Sequence, residues 1–252
     1  MTVEPTWRLA LALVLLVGLS VTASLVAHLR TTKETVVAAV RAVAQLAVVS
    51  LIVVAALQHI ATALAFVALM FAIGAWTTSG RTGVRRCWPY VAAAMAAGVL
   101  PVLAVIYLTG TAPLNGLSLI PIAGIVTGNM MTAHTLVAKG SFATLRARRG
   151  EYEAALAIGL ARPDAIRLVD PDSARDATIP NIDSTRTVGL VTLPGAFIGV
   201  LLGGGSPVQA GAAQVLVLVG IMAGQALTVA TAHAFIERAL ILPDDLRQTL
   251  RA

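Results

Sequence analysis

The side chains able to bind, donate or ligate are few in this chain, and they interrupt long apolar stretches. Gln45, Asn129, His134, Gln214 and Gln225 lie within such stretches, and Met130 and Met131 add polarizable sulfur beside Asn129. In lipid a polar side chain is costly, and it is kept where it lines a path or bonds a neighbouring helix. Both uses fit here. Gln45, Asn129, Met130, Met131 and Gln214 are therefore pathway candidates, with helix-to-helix bonding as the alternative. Met130 and Met131 are consecutive, so a helix turns them in different directions and at most one faces a given lumen. His134, near the end of its stretch, reads as a satisfied interfacial histidine rather than a metal ligand. Pro194-Gly195 breaks another apolar stretch. Proline removes a backbone hydrogen bond and kinks a helix, and transporter sites are often built at such breaks. A plain packing kink is the other reading.

Several chemistries find no residues to carry them. His28, His59, His134 and His233 show no metal-ligand spacing, and the single cysteine, Cys87, excludes an internal disulfide. No GxxxxGK[ST] phosphate loop occurs, so the chain cannot hydrolyse ATP by that route and binds no nucleotide cofactor of its own. Asp170, Asp172, Asp176 and Asp183 form an acidic run that reads as solvated rather than catalytic. No Asp or Glu lies well inside an apolar stretch, which argues against a proton- or sodium-coupled carrier.

The elements that must position these residues are membrane helices. Of 252 residues 58% are hydrophobic and 12% charged, against about 25% charged in a soluble domain. Net charge is +6, but aromatics are only 4% and offer no stacking platform, so nucleic acid is not the expected partner. A lipid bilayer is. A spanning helix needs roughly 20 apolar residues, and seven stretches qualify: 8–28, 36–57, 59–78, 88–109, 117–138, 187–205 and 211–236. The expected fold is all-α: a polytopic helical membrane protein, read as one domain over residues 1–252. The first stretch reads as an uncleaved span, because Glu4 precedes Arg8 and the apolar run exceeds a signal-peptide core.

Arg30, Lys33 and Arg41, then Arg81, Arg85 and Arg86, then eight basic residues from Lys139 to Arg186, then Arg238, Arg247 and Arg251 fall on one side of these spans. Only Arg8 falls on the other. The positive-inside rule then predicts an outward N-terminus and a cytoplasmic C-terminus in a cell membrane. Turns "GTAPLNG" and "GGGSPVQAG" lie on the uncharged side.

Residues 139–186 thus form one long cytoplasmic connection, and "RRGEYEAALAIGLARPDAIRLV" within it is helix-prone. Glu151 and Glu153 suit a helix start, Gly159 a helix end, and Pro163 the opening of a second short helix. An interfacial helix that merely orders a loop is one reading. However, Glu153-Ala154-Ala155 followed by Gly159 resembles the "EAA…G" loop of ABC importer-type permeases, a coupling helix that docks on a separate ATPase subunit.

A wider resemblance follows it. "IPNIDSTRTVGLVTLPGAFIGVLLGGGSPVQAGAAQ" at 179–214, "IPIAGIVTGNMM" at 120–131, "RAVAQL" at 41–46 and "AW" at 75–76 are similar in order and spacing to the FetB group of iron-export permeases. The resemblance implies a permease subunit that exports iron or another metal. It also implies a homodimer driven by a P-loop ABC ATPase that carries the ATP and Mg, with Glu153, Ala154, Ala155 and Gly159 at the coupling contact. There are departures. Ala196-Phe197 replace a usual Met-Met, Ile125 stands for a methionine, Pro163 is displaced by one, and "DPD" at 170–172 interrupts a helix. Fewer thioethers weaken the case for a metal cargo. A self-contained channel or secondary carrier, a permease for a non-metal solute, and a non-transporting membrane partner are the alternatives.

Overall fold

The computed structural model describes residues 6–250; Glu4 and Arg251, used in the charge reading, lie outside the described residues. The chain packs as two compact units that divide between Gln58 and His59. The first is a helical hairpin of α1 (Trp7–Val26) and α2 (Thr32–Ala56). Its turn is pinned by Ser24, buried at 3% exposure, whose hydroxyl bonds that of Thr31 at 3.0 Å.

The second unit holds α3 (Ile60–Arg81), α4 (Trp88–Leu108), α5 (Gly116–Ala147) and α11 (Pro207–Glu237) as its long helices. Between α5 and α11 come α6 (Arg149–Ala157), α7 (Arg162–Val169), α8 (Ser173–Asp176), α9 (Ile179–Arg186) and α10 (Gly195–Leu202); α12 (Asp244–Thr249) ends the chain. Six described helices are long and apolar enough to cross a membrane: α1 to α5, and α11. Small residues let the long helices touch. A Cβ on Gly98 of α4 would lie 2.3 Å from the Gly224 carbonyl of α11 and 2.2 Å from Thr228 Oγ1. Gly220 meets Val102 in the same seam, and Gly124 of α5 meets Met70 of α3. The Gly220-xxx-Gly224 pair thus serves packing within the chain.

Five of the expected spans recur nearly where the apolar pattern puts them. α5 runs nine residues beyond the expected end at 138, and the sixth span is not one helix. α5 and α11 lie side by side and parallel: Gln225 Nε2 donates to the Asn129 carbonyl at 3.5 Å, and Ala133 and Val137 share an apolar cluster with Val229 and Ala232. Two parallel neighbours require the chain to return between them. It does so through α9, an irregular stretch at 187–194, and α10. At ~1.5 Å per residue an eight-residue α10 covers only about 12 Å of a roughly 30 Å apolar layer. The break has local causes. Gly189 takes φ +84° and its N–H bonds the Thr192 carbonyl at 2.9 Å. Pro194 sits at the N-cap of α10 in an extended conformation, φ −69°, ψ 161°. Pro194 therefore starts a helix rather than kinking one, because the residue before a proline is disfavoured in the α region.

The intervening short helices fold onto the bundle end where α3, α5 and α11 finish and α4 begins. Tyr152, Ala155, Ala165, Ile166 and Val169 share one core with Phe142, Leu145, Ile236, Ile241 and Leu246. Arg146 of α5 grips Asp245 of α12 with two bonds, 2.7 and 3.1 Å.

Candidate functional site: a folded island and a broken crossing

The island at 149–169 is a helix, a turn and a helix, as its sequence predicts. α6 ends at Ala157, and Gly159 at φ +93° reverses the chain, with Gly159 N–H bonding Leu156 O and Leu160 N–H bonding Ala155 O. That positive φ is easy only for glycine. Pro163 occupies the first turn of α7, where its missing N–H costs nothing. Tyr152 and Ala155 turn inward, at 0% and 3% exposure, and Arg162 Nε donates to the Tyr152 hydroxyl at 3.3 Å. Glu153 and Ala154 face outward, with Glu153 paired to Arg149 at 2.7 Å. Ile158 stands 77% exposed beside Gly159 at the tip. Of the four coupling candidates, Glu153, Ala154 and Gly159 are on the surface, while Ala155 is spent on the island's own core.

Within the second unit the pathway candidates do not converge on one point. Gln45 is exposed on α2, in the other unit. Asn129 is half-buried and its Nδ2 donates to Ile125 O of its own helix at 2.9 Å. Met130 is fully buried where α4 and α11 meet, and Met131 turns toward Gly74 of α3, so the two do diverge. Gln214 is 5% exposed and its Oε1 accepts from Phe197 N at 3.2 Å, satisfying one of the free N–H groups at the start of α10. Pro194, Gly195 and Gln214 are thus brought together at the broken crossing.

His134 is not interfacial. The extra turns of α5 place it inside the bundle at 0% exposure, and neither ring nitrogen has a hydrogen-bond partner. The acidic run is not uniformly solvated either. Asp170, in the turn between α7 and α8, is 1% exposed. Its Oδ1 accepts from Ser173 Oγ, and its Oδ2 lies 3.5 Å from His233 Nε2 on α11. His233 Nδ1 lies 3.3 Å from Glu237 Oε1, and Arg167 of α7 donates to both Glu237 oxygens at 3.0 and 2.9 Å. Burial works against ionisation of Asp170, but the facing His233 ring and the Ser173 hydroxyl outweigh it and hold the carboxyl below its ordinary range. Sequence reading missed this cluster. The i, i+4 spacing of His233 and Glu237 on one helix face was a visible signal; the contact across 63 residues to Asp170 was not. Among the described residues no group of three or more His, Cys, Asp or Glu is arranged to hold a metal ion.

Residues 6–241 match the family model described as "Uncharacterised protein family (UPF0014)". Curated relatives include the probable iron export permease protein FetB of Escherichia coli K12, 34% identical over 128 residues, 51% of this chain and 49% of that protein. The chain thus spans about half the length of that relative. The UPF0014 membrane protein YjkA of Bacillus subtilis is 29% identical over 78% of this chain and 80% of its own length. The UPF0014 membrane protein STAR2 of rice is 30% identical over 80% and 72%. No solved structure matches. With a family match across nearly the whole chain and six spanning helices, this is a multi-pass membrane protein of the UPF0014 family.

Proposed function

We propose that this chain is the membrane-spanning permease subunit of an ABC transporter, acting as a homodimer driven by a separate P-loop ATPase. The observation that carries the reading is the island tip. A membrane protein has little use for a small folded core outside the bilayer that still presents Ala154, Gly159 and a 77% exposed Ile158 to solvent. An apolar anchor flanked by small residues suits insertion into a groove of a partner. Basic residues crowd this end of the bundle, which supports a cytoplasmic island and an outward N-terminus under the positive-inside rule; in this reading ATP and Mg belong to the partner.

The broken crossing supports the homodimer. Irregular backbone at membrane depth persists where protein or water covers it, and Leu190 and Val191 are 89% and 77% exposed in the single chain. A second copy placed against 187–202 would cover the break and put Pro194, Gly195 and Gln214 beside a path on the shared axis. Asn129 would reach that path from α5; Gln45 belongs to the other unit. The cargo reading, export of iron or another metal, draws on the likeness to the E. coli protein, a probable iron export permease.

The test is co-purification with a tagged P-loop ATPase from the same cell. Gly159→Leu and Ala154→Glu should cut retention of the ATPase at least tenfold while membrane insertion is unchanged, and Arg148→Ala should do much less. Full retention by both variants would remove the coupling reading. ATPase activity of the reconstituted complex, compared across iron, other metal ions and uncharged solutes, then tests the cargo.

A further inference from the structure

The cluster that joins the island to α11 has an arrangement that needs a proton. Both ring nitrogens of His233 face carboxylate oxygens, Nδ1 toward Glu237 at 3.3 Å and Nε2 toward Asp170 at 3.5 Å. A neutral imidazole has one N–H and one lone pair. Whichever tautomer it chose, a lone pair would oppose a buried carboxylate. An imidazolium carries an N–H to each side and removes the conflict. Charge counting agrees. Asp170 and Glu237 are two negative groups at 1% and 8% exposure, and Arg167 supplies one positive charge, already engaged with both Glu237 oxygens. His233 is the group in contact with both carboxylates that can supply the second positive charge.

Arg148 adds only a long-range attraction to Asp170, its hydrogen bonds being spent elsewhere. From α7, Asp164 sits 3.4 Å from Arg167 and adds negative charge at the rim. Ser173 of α8 donates to Asp170, and the buried Ser141 Oγ of α5 has no partner of its own. Arg148, before α6, spends its guanidinium on Glu151 and on the Val169 carbonyl, one residue from Asp170. Asp172, in the same turn, is exposed. α9, which also meets α11, keeps its Asp183–Arg186 pair on the surface. α4 faces this end of α11 with Tyr90, packed edge-on against Phe235. Arg238 bonds the Ala234 carbonyl of its own helix. Asp170 Oδ2 and His233 Nε2 are both buried without a hydrogen-bond partner, facing one another.

We propose that the space between Asp170 and Glu237 is a proton-binding site: an imidazolium at His233 clips the α7–α8 turn to the end of α11, and loss of that proton loosens the island from the bundle. No bond other than N–H changes. The proton leaves to water through the exposed edge of the ring, whose side chain is 13% exposed, and two carboxylates remain with one guanidinium, held on Glu237. The sign is fixed by this balance. The clip is closed at low pH, where the ring is charged, and opens as pH rises past the point at which the ring loses its proton. An ordinary histidine titrates near 6.5, so the change falls within reach of cellular pH. This site stands whether or not an ATPase docks on the island.

Hydrogen exchange of the full chain in lipid nanodiscs tests it, with rates corrected for intrinsic base catalysis. Between pH 6 and pH 9, peptides covering 162–178 should exchange about tenfold faster at the higher pH. Peptides from the middle of α4 should not change. His233→Gln should abolish the pH dependence and leave 162–178 fast at both values. Asp170→Asn removes one counter-charge and should move the midpoint to lower pH by about one unit, a tenfold loss of proton affinity. It serves alone if His233→Gln fails to insert. A flat wild-type profile overturns the proposal. So does a His233→Gln profile as steep as the wild type, or an unmoved midpoint in Asp170→Asn.

Discussion

The second unit returns between its parallel helices through 187–194 and α10 and then runs back as α11, and the two passages are built on opposite terms. α11 buries Gln214, Ile221, Gly224, Gln225, Thr228 and Val229 against its own chain. α9 and α10 bury nothing. Both α10 and α11 start at a proline. α11 has Pro207 just inside a complete capping box from Ser206 and Gln209, and it runs 31 residues. α10 has Pro194 outside, no cap from its own N-cap residue, and it stops after eight residues at a run of three glycines. A crossing that is packed and capped is set by the chain itself. One that is neither must take its covering from outside the chain.

That contrast can be broken most sharply at its glycines. Gly224→Leu would push a side chain to within about 3 Å of Met130 and the Gly98 carbonyl. Overpacking of this kind costs about 1–3 kcal/mol, so the purified protein should lose a large part of its thermal stability or fail to assemble. Gly199→Leu, whose added Cβ meets nothing within 4 Å, should leave the stability of the single chain unchanged. Equal damage from both would mean that α10 is packed as tightly as α11.

Next comes Gln214, which bonds α11 to the start of α10. Gln214→Ala strips the acceptor from Phe197 N and leaves a half-buried donor unsatisfied, a loss of ~1–3 kcal/mol. The expected outcome is faster hydrogen exchange at 195–202 with little change along 216–232. Uniform acceleration would place Gln214 in the bundle core instead.

Pro194→Ala should do less to stability. Its N–H is absent from a cap position where none is needed, and alanine lets α10 wind backward toward 190. Transport in a vesicle assay should fall severalfold while ATPase retention stays whole. Unchanged transport at normal expression makes the break ordinary packing.

The smallest effect is at the island's rim. Arg146 holds the Asp245 carboxyl below its ordinary range, so the pair stabilises above the usual carboxylate pKa of about 3.9 and is lost as pH falls through the lower folded value. Both side chains are about half exposed, which limits the contribution to under ~1 kcal/mol. Asp245→Asn should shift the melting temperature by a degree or two at pH 7 and by nothing at pH 3.

Five spans, the island and its turn were legible because each is written locally. Apolar length fixes a span, glycine at 159 fixes a reversal, and proline at 163 fixes a start. The sixth span misled because length and hydropathy alone say nothing of backbone. Residues 187–205 are apolar enough, yet Gly189 and Pro194 prevent one helix from using them. His134 misled because α5 continues through Lys139, a charged residue taken as its boundary. The burial of Ala155 and Asp170 was not legible for another reason: which face a short polar helix buries is decided by what it lands on, and Leu145 and Ile236 are far away in the chain.

α5 carries a mechanical consequence. It is continuous over 32 residues, about 48 Å at 1.5 Å per residue, half as long again as the apolar layer it crosses. Asn129 and Met130 lie near its middle, and Arg146, with its grip on Asp245, lies at its far end. A rod of that length converts angle into distance. A tilt of about 5° around Met130 sweeps its far end through roughly 2 Å (16 residues of lever arm at the same rise). A displacement applied at the Arg146–Asp245 end would therefore be geared down into a small, stiff rotation beside Asn129 and Met130, and slack at that joint would be felt there as lost motion.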